Sequence, residues 1–499
     1  MPTVTAPSVE STENPDRPQR PEPAPPARSG FDRRGRFALA AIAGGGLMTV
    51  LDGSIVTVAL PSIQNELRFS TAGISWVMNA YLLAFGGLLL FAGRLGDLLG
   101  RKRMFLGGIG LFVAASALAG AATTPALLVG ARFAQGVGSA AVAAVSLGIL
   151  VTLFTGPAQR GKAIGVYSFT GAAGASLGQV LGGVLTESLS WHWIFYINLP
   201  IGLATILLGA RMIPNDRGLG LKAGTDTSGA LLIIAGLMLG IYAVVGTTQY
   251  GWTSVRTLGL GTLAALLIAG FVARQGRAAT PLMPLRILRS RNLAGANAVQ
   301  ILMIGAMFAF QIVVSLAMQH VLGYGAAATG LAMLPAAVGI GATALLVSAR
   351  LIARFGPRTV LIAGLLMLIG ALALLPDLPV HAGYAADLLP TMLLISGGGL
   401  AMPAAAGLAM STAREQDAGL VSGLYNTTQQ LGSAAGAAVL TTLSASRTAA
   451  LLRRGEPAPD ALMAGYHVAF SVGVGLLLAA LAVAILVLRP GRADAPAAD

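Results

Sequence analysis

Residues 76–103, WVMNAYLLAFGGLLLFAGRLGDLLGRKR, decide how the rest of the chain is read. The stretch opens on a Trp, runs apolar for about one bilayer thickness, and ends in a charged hairpin spaced by glycines. Gly93, Arg94, Gly96, Asp97, Gly100, Arg101, Lys102 and Arg103 put small residues and opposite charges into one short turn. Small residues let two membrane helices approach closely, and cations hold such a turn at the cytoplasmic surface. Three closing cations alone would do no more than set topology. The glycines and Asp97 set the hairpin apart from an ordinary basic loop.

Outward from this stretch, apolar runs of spanning length recur. The chain is 55% hydrophobic and 10% charged, with mean hydropathy +0.77, a composition that excludes a soluble domain. Fourteen spans are expected, near 37–60, 73–92, 104–123, 126–152, 163–186, 193–212, 227–248, 256–273, 293–318, 328–349, 358–376, 387–410, 418–443 and 466–488. Residues 1–36, rich in Pro, Ala and Arg, read as a disordered cytoplasmic tail, and 489–499 as a second tail. No cleavable signal peptide is visible.

An even number of spans puts both termini on one side, and the cations say which. With the N-terminus inside, 26 of the 32 Lys and Arg fall on the inner side and five on the outer. The exception, Arg132, lies within a span. This is a positive-inside pattern. All four Trp (76, 191, 193 and 252) fall at outer boundaries, as an interfacial belt would. The net charge of +13 is thereby explained by topology, and no nucleic-acid partner is expected.

The hairpin recurs. Ala349-Arg350-Leu-Ile-Ala353-Arg354-Phe-Gly356-Pro-Arg358 echoes 93–103 at an offset of 256 residues, with Ala353 in place of Asp97. Two six-helix halves, 37–212 and 293–488, then flank a linker, 213–292, that carries two inserted spans. The repeat and the hairpin resemble the major facilitator superfamily, and the inserted pair resembles its fourteen-helix drug:proton antiporter branch. Leu51-Asp52-Gly-Ser-Ile-Val-Thr-Val-Ala-Leu60-Pro61 is similar to that branch's first-helix motif, and Arg132-Phe-Ala-Gln135-Gly136-Val-Gly138 to its fourth-helix motif. Gly174-Ala-Ser-Leu-Gly178-Gln179-Val-Leu-Gly182-Gly183 resembles the fifth-helix antiporter motif, with Gln179 where that motif usually has Pro. Trp191-His-Trp-Ile-Phe-Tyr-Ile-Asn198-Leu-Pro200 resembles the segment that follows.

The resemblance implies an all-α integral membrane protein with two six-helix repeats plus an inserted pair, both termini cytoplasmic, in the cytoplasmic membrane. It implies proton-coupled efflux of small amphiphilic drugs or antibiotics by alternating access; the alternative is a proton-linked uptake symporter of a small metabolite. The gating loop would be Gly93, Arg94, Asp97, Gly100 and Arg101, with Asp97 holding the halves together in one state. Gly174, Gly178, Gly182 and Gly183 would serve helix packing.

Asp52 and Arg132 are the two ionisable residues well inside a span, where a charge costs about 2.5–3.5 kcal/mol or more. Asp52 lies eight residues from the outer end of its expected span and Arg132 six, roughly 12 and 9 Å at helical rise. Pairing is therefore within reach, either as a static buried ion pair or as a proton-coupling centre. One acid at depth suggests hydrophobic cargo that is neutral or monocationic. Asn79, Gln135, Gln300, Gln311, Asn426 and Gln429 are candidate cavity residues.

With no Cys, and four His near outer boundaries, no nucleophile or metal constellation points to an enzyme. No cofactor is expected beyond the coupling proton. A channel would draw on symmetric subunits, whereas this chain carries its own repeat and is read as a monomer in a lipid bilayer.

Overall fold

The computed structural model describes residues 31–70, 73–220, 226–278, 281–287, 289–411, 413–414 and 417–489. Every regular element among them is helical. In hydrocarbon each backbone N–H and C=O must be satisfied by protein, and a continuous apolar run of about twenty residues does so within itself as a helix.

Six passages form the first half: α1 (Arg33–Leu67), α2 (Ser75–Leu99), α3 (Arg101–Gly120), α4 (Pro125–Leu153), α5 (Pro157–Ser188) and α6 (Asn198–Met212), the last led by the short turn Trp193–Tyr196. The inserted pair is α7 (Thr227–Tyr250) and α8 (Val255–Gln275). The second half begins with α9 (Arg291–His320). A long run then passes through Ala326–Ala342, the π-helical Thr343–Ser348 and Ala349–Ala373; Gly356 breaks it into α10 (326–355) and α11 (357–373). It closes with α12 (Tyr384–Met410), α13 (Ala418–Leu452) and α14 (Ala458–Leu486). Fourteen passages among the described residues match the number expected from hydropathy.

The repeat shows in the backbone. Gly100, between α2 and α3, has φ 101° and ψ 130°, and Gly356, at the same place in the second half, has φ 78° and ψ 157°. Positive φ of this kind is open to glycine and strained for other residues. The 256-residue offset is therefore a repeat of conformation as well as of sequence.

Several boundaries differ from expectation: α1 runs on to Leu67, α2 to Leu99, and α5 begins at Pro157. The tail expected over 1–36 ends sooner, because α1 starts at Arg33, where Asp32 Oδ1 accepts from Gly35 N at 2.7 Å. Residues 1–30 and the expected tail at 490–499 lie outside the described residues. α13 runs on to Leu452 and α14 begins at Ala458. Polar Ser444 and Thr448 hide this extension from hydropathy, yet both are buried, and a Cβ on Gly465 of α14 would meet Thr448 Oγ1 at 2.1 Å.

The inserted pair lies beside α2. Met238 and Ile241 of α7 rest on Gly87 and Gly86, where a Cβ would come within 2.4 and 2.5 Å of them. At the far end of the pair, Asp226 caps α7 through Gly229 N (2.9 Å) and bonds Arg274 (2.7 Å) and Gln275 (3.0 Å) of α8. Burial pushes this carboxyl up, but those hydrogen bonds and the Arg274 charge outweigh it and hold it below the usual carboxylate range. The bundle surface is aliphatic: Val255, Leu486 and Leu231 are 89%, 79% and 70% exposed, as lipid-facing side chains are.

Cation distribution predicts that the face carrying the 93–103 hairpin is the inner one. Ser446 is exposed on the opposite end of α13, and the native chain has no Cys. Ser446→Cys should react with an impermeant maleimide added to the outside of intact cells. Labelling solely in inverted vesicles would reverse the topology.

Candidate functional site

Four helices of the first half converge on Asp52, which is fully buried on α1. Arg132 Nη1 of α4, also fully buried, donates to Asp52 Oδ2. Asp52 Oδ1 accepts from Gln135 Nε2 at 3.0 Å and from Asn198 Nδ2 at 3.2 Å, and Gln135 Nε2 also reaches Ser116 Oγ of α3 at 2.7 Å. The guanidinium has partners of its own. Nε donates to Val77 O (2.9 Å), Nη1 also reaches Gln135 Oε1 (2.8 Å), and the Tyr81 ring lies 4.5 Å away. Tyr81 is itself held by Thr49 O (3.2 Å) and Ser139 Oγ (3.0 Å). Arg132 Nη2 and Asn198 Oδ1 have no protein partner among the described residues. A buried cation is tolerable where several dipoles and a ring face replace its water.

Asp52 sits fifteen residues from the end of α1, not the eight expected, because that helix continues past the apolar run to Leu67. Its last turns are held by Trp191 Nε1, which donates to Glu66 Oε2 at 2.8 Å. The glycine face of α5 packs on α1 at the same level. Cβ atoms on Gly178 and Gly182 would lie 2.8 Å from the carbonyl oxygens of Leu51 and Ile55, and on Gly174 3.2 Å from that of Leu47. Gly183 faces open space. The glycines therefore let α5 lie directly against the helix that carries Asp52.

A second centre joins the two halves at the end that carries the 93–103 hairpin. Asp97 is buried at the end of α2, yet its carboxylate belongs to the other half: Oδ1 accepts from Gly419 N (2.9 Å) and Oδ2 from Leu420 N (2.8 Å). These are free amides of the first turn of α13, so Asp97 takes the place of an N-cap. The chain's own residue there, Asp417, binds Arg286 instead (2.9 Å). Arg101 Nε donates to Asp97 Oδ1 at 3.0 Å. Close approach depends on glycine: a Cβ on Gly93 would stand 2.5 Å from Gly419 O, and on Gly423 2.7 Å from Leu89 O. Arg94 is half-buried on α2.

The linker after α6 is strapped over this lock. Leu219 N and Gly220 N donate to the carbonyls of Asp97 and Leu98, both at 3.0 Å. Asp216 accepts from the backbone N of Arg101 and, at 3.1 Å, of Lys102, capping α3. The equivalent pair in the repeat, α5 and α10, meets with Gly165 against Ala344 O (2.5 Å for a Cβ), and Ala353 supplies no carboxylate there.

The candidate cavity residues disperse. Gln135 belongs to the Asp52 cluster. Gln300 is buried and accepts from Tyr425 OH at 2.8 Å. Asn426 donates across the halves to Ala143 O at 3.1 Å. Gln311 is exposed and Gln429 half-buried. Asn79 lines a cavity of about 1010 Å³ between α2, the inserted pair and α13, toward the end remote from the hairpin, where Gln430 joins it.

A Major Facilitator Superfamily sequence profile matches residues 42–437. The chain belongs to the Major Facilitator Superfamily. It is thus a multi-pass membrane transporter and not an enzyme. It is 39% identical to a puromycin resistance protein of Streptomyces alboniger, over 94% of each chain. It is 38% identical to a cephamycin export protein of Amycolatopsis lactamdurans, over 87% of this chain and 89% of that one. A tetracenomycin C resistance and export protein of Streptomyces glaucescens is 33% identical, over 82% and 76%. Among solved structures, the human organic anion transporter MFSD10 superposes with a TM-score of 0.63 at 16% identity, over 91% of this chain and all of that one, which speaks for the fold.

In this major facilitator chain, sequence reasoning missed two members of the Asp52 cluster, Ser116 and Asn198. Neither is charged; Asn198 did lie in the quoted segment after α5. It also missed Gly419 and Gly423, whose backbone rather than side chains receive α2. Asp97→Asn replaces an acceptor with an amide group facing two N–H donors. Losing charge-assisted bonds of about 1.5–3 kcal/mol should open the inner face and cut transport about tenfold or more in protein that still inserts and folds. Ser422→Cys, buried beneath the lock, should then label from the inner side in the Asp97→Asn background but not alone. Equal protection in both backgrounds would contradict the lock.

Proposed function

We propose that the protein exports antibiotics or similar small amphiphilic compounds across the cytoplasmic membrane, exchanging them for protons by alternating access. The observation that carries this reading is the buried Asp52, a titratable group held by neutral amides and a cation with partners of its own. Identity to antibiotic exporters along nearly the whole chain supports efflux over uptake.

In the state described, the inner face is shut by Asp97 on α13 and a cavity remains on the outer side. Asp52 accepts a proton in this state. Protonation removes half of the ion pair; Val77 O, Gln135 and the Tyr81 ring keep Arg132 in place. Helices α1, α4 and α6, joined through the carboxylate, are then free to shift against one another. Glycine-lined α5 transmits that shift, since it packs on α1 at Leu51 and Ile55. A proton entering down one pH unit releases about 1.4 kcal/mol, and 100 mV adds about 2.3 kcal/mol. Either supports roughly tenfold or greater accumulation of cargo.

Asp52→Asn keeps size and polarity but cannot titrate. In vesicles with an imposed pH gradient, the variant should bind puromycin, cephamycin or tetracenomycin C, whichever the wild type exports, with affinity within about threefold while gradient-driven flux stops. Variant protein that still exchanges protons for cargo at the wild-type rate would reduce the pair to a structural ion pair.

A further inference from the structure

The cavity on the outer side lies on one flank of the two-half interface. On the opposite flank α5 and α10 touch directly, Gly165 against Ala344 O and Gly341 against the Phe169 ring, where Cβ atoms would come within 2.5 and 2.6 Å. On this flank the equivalent helices, α2 and α13, meet at the inner end through Gly93, Gly419 and Gly423. Further out, α7 and α8 are set against them. Trp252 Nε1, in the turn between α7 and α8, donates to Thr442 Oγ1 of α13 at 2.6 Å, so the inserted pair is fastened to both halves.

We propose that this chamber, walled by the inserted pair, is a cargo-binding site for flat aromatic amphiphiles that are neutral or singly anionic. The proposal rests on the export reading above and adds the place and chemical class of the cargo. Its volume of about 1010 Å³ is at the upper end for drug-sized ligands. Three aromatic residues line its outer part. Trp76 of α2 stacks on Tyr242 of α7 with centroids 5.9 Å apart, and Tyr250 stands nearby. Arg256 of α8 lies over the Tyr250 ring at 4.3 Å and donates to Tyr242 OH at 2.6 Å. Deeper, Asn79 and Gln430 offer amides that accept and donate.

Charge sets the selectivity. Among the described lining residues Arg256 is the sole formally charged one, and none is a carboxylate. Asp52 is fully buried within the first half and is not part of the wall, so it offers no counter-charge to cargo here. A cation entering this chamber meets rings and amide oxygens but also the like charge of Arg256, with no carboxylate among the described lining residues to offset it, whereas an anion meets a guanidinium. The monocationic cargo expected from Asp52 alone is therefore disfavoured at this site.

The test uses full-length protein in lipid nanodiscs, with protein-free discs subtracted, and three aromatic probes. These are 1-anilinonaphthalene-8-sulfonate (anionic), N-phenyl-1-naphthylamine (neutral) and ethidium (cationic). Quenching of Trp emission reports binding, and Trp76→Phe should remove most of the quench. Arg256→Gln should weaken the sulfonate about tenfold and leave the neutral amine within about twofold. Ala434→Trp, or Ala438→Trp if that variant does not fold, fills the chamber and should weaken both by about tenfold or more. Ethidium should bind weakest throughout.

Unchanged affinities in the filled variants, or ethidium binding as tightly as the sulfonate, would overturn the site. Flux of the same probes is measured separately in vesicles. Probes that are exported while the filled variants bind normally would leave the export reading standing without this chamber. Probes that bind with the expected pattern but are not moved would keep the chamber and sink the export reading.

Discussion

The carboxylate of Asp97 on the amides of Gly419 and Leu420 is the contact on which the described state depends. It is buried, and it joins residues more than three hundred positions apart in sequence, across the two halves. Free amides at a helix start are costly to bury without an acceptor. Bringing the halves together here gives those amides an acceptor, while Arg101 holds the same carboxylate from within its own half. Glycine is needed on both sides because the two backbones stand closer than any Cβ allows. The linker strap and Asp216 then hold the hairpin that presents Asp97.

Asp52 stands to the first half as Asp97 stands to the interface between halves. Each is an acid whose partners come from other helices, and each is flanked by an arginine. The difference lies in what replaces water. Asp97 faces backbone amides, and an Asp-to-Asn change there loses an acceptor. Asp52 faces side-chain amides of Gln135 and Asn198, and Arg132 is separately secured, so a change of charge at Asp52 leaves the cation supported. Under the proposed exchange, the first acid would hold the halves together and the second would carry the proton.

Much of this was legible in the chain. Hydropathy marked fourteen passages, because a helix in lipid shows as a continuous apolar run, and the 93–103 hairpin announced its repeat at 349–358. Asp52 and Arg132 stood out because charge at depth is rare. Less legible were contacts made by backbone or by neutral side chains: Gly419 and Gly423 receiving α2, Ser116 and Asn198 completing the acid's shell. Hydropathy also misplaced the end of α13, where buried Ser444 and Thr448 read as loop. Gln300 and Asn426 looked like cavity residues from polarity alone, whereas each is consumed by a partner, Tyr425 and Ala143 O. Polarity within a span tells that a hydrogen bond is made and does not tell with what.

If protonation of Asp52 governs which face is open, the inner ends of the two halves must separate on acidification, since the proton taken up outside has to be delivered inside. Arg103 and Arg354 are exposed on the repeated hairpins of the two halves, and the native chain contains no Cys. Spin labels on Arg103→Cys and Arg354→Cys, read by pulsed electron double resonance in nanodiscs, report their separation. Two distance populations are predicted, the longer growing as pH falls in otherwise wild-type protein and insensitive to pH when Asp52→Asn is added. A distance distribution that ignores pH in the wild type, or that follows pH equally well with Asp52→Asn, would contradict the coupling of this acid to the inner closure.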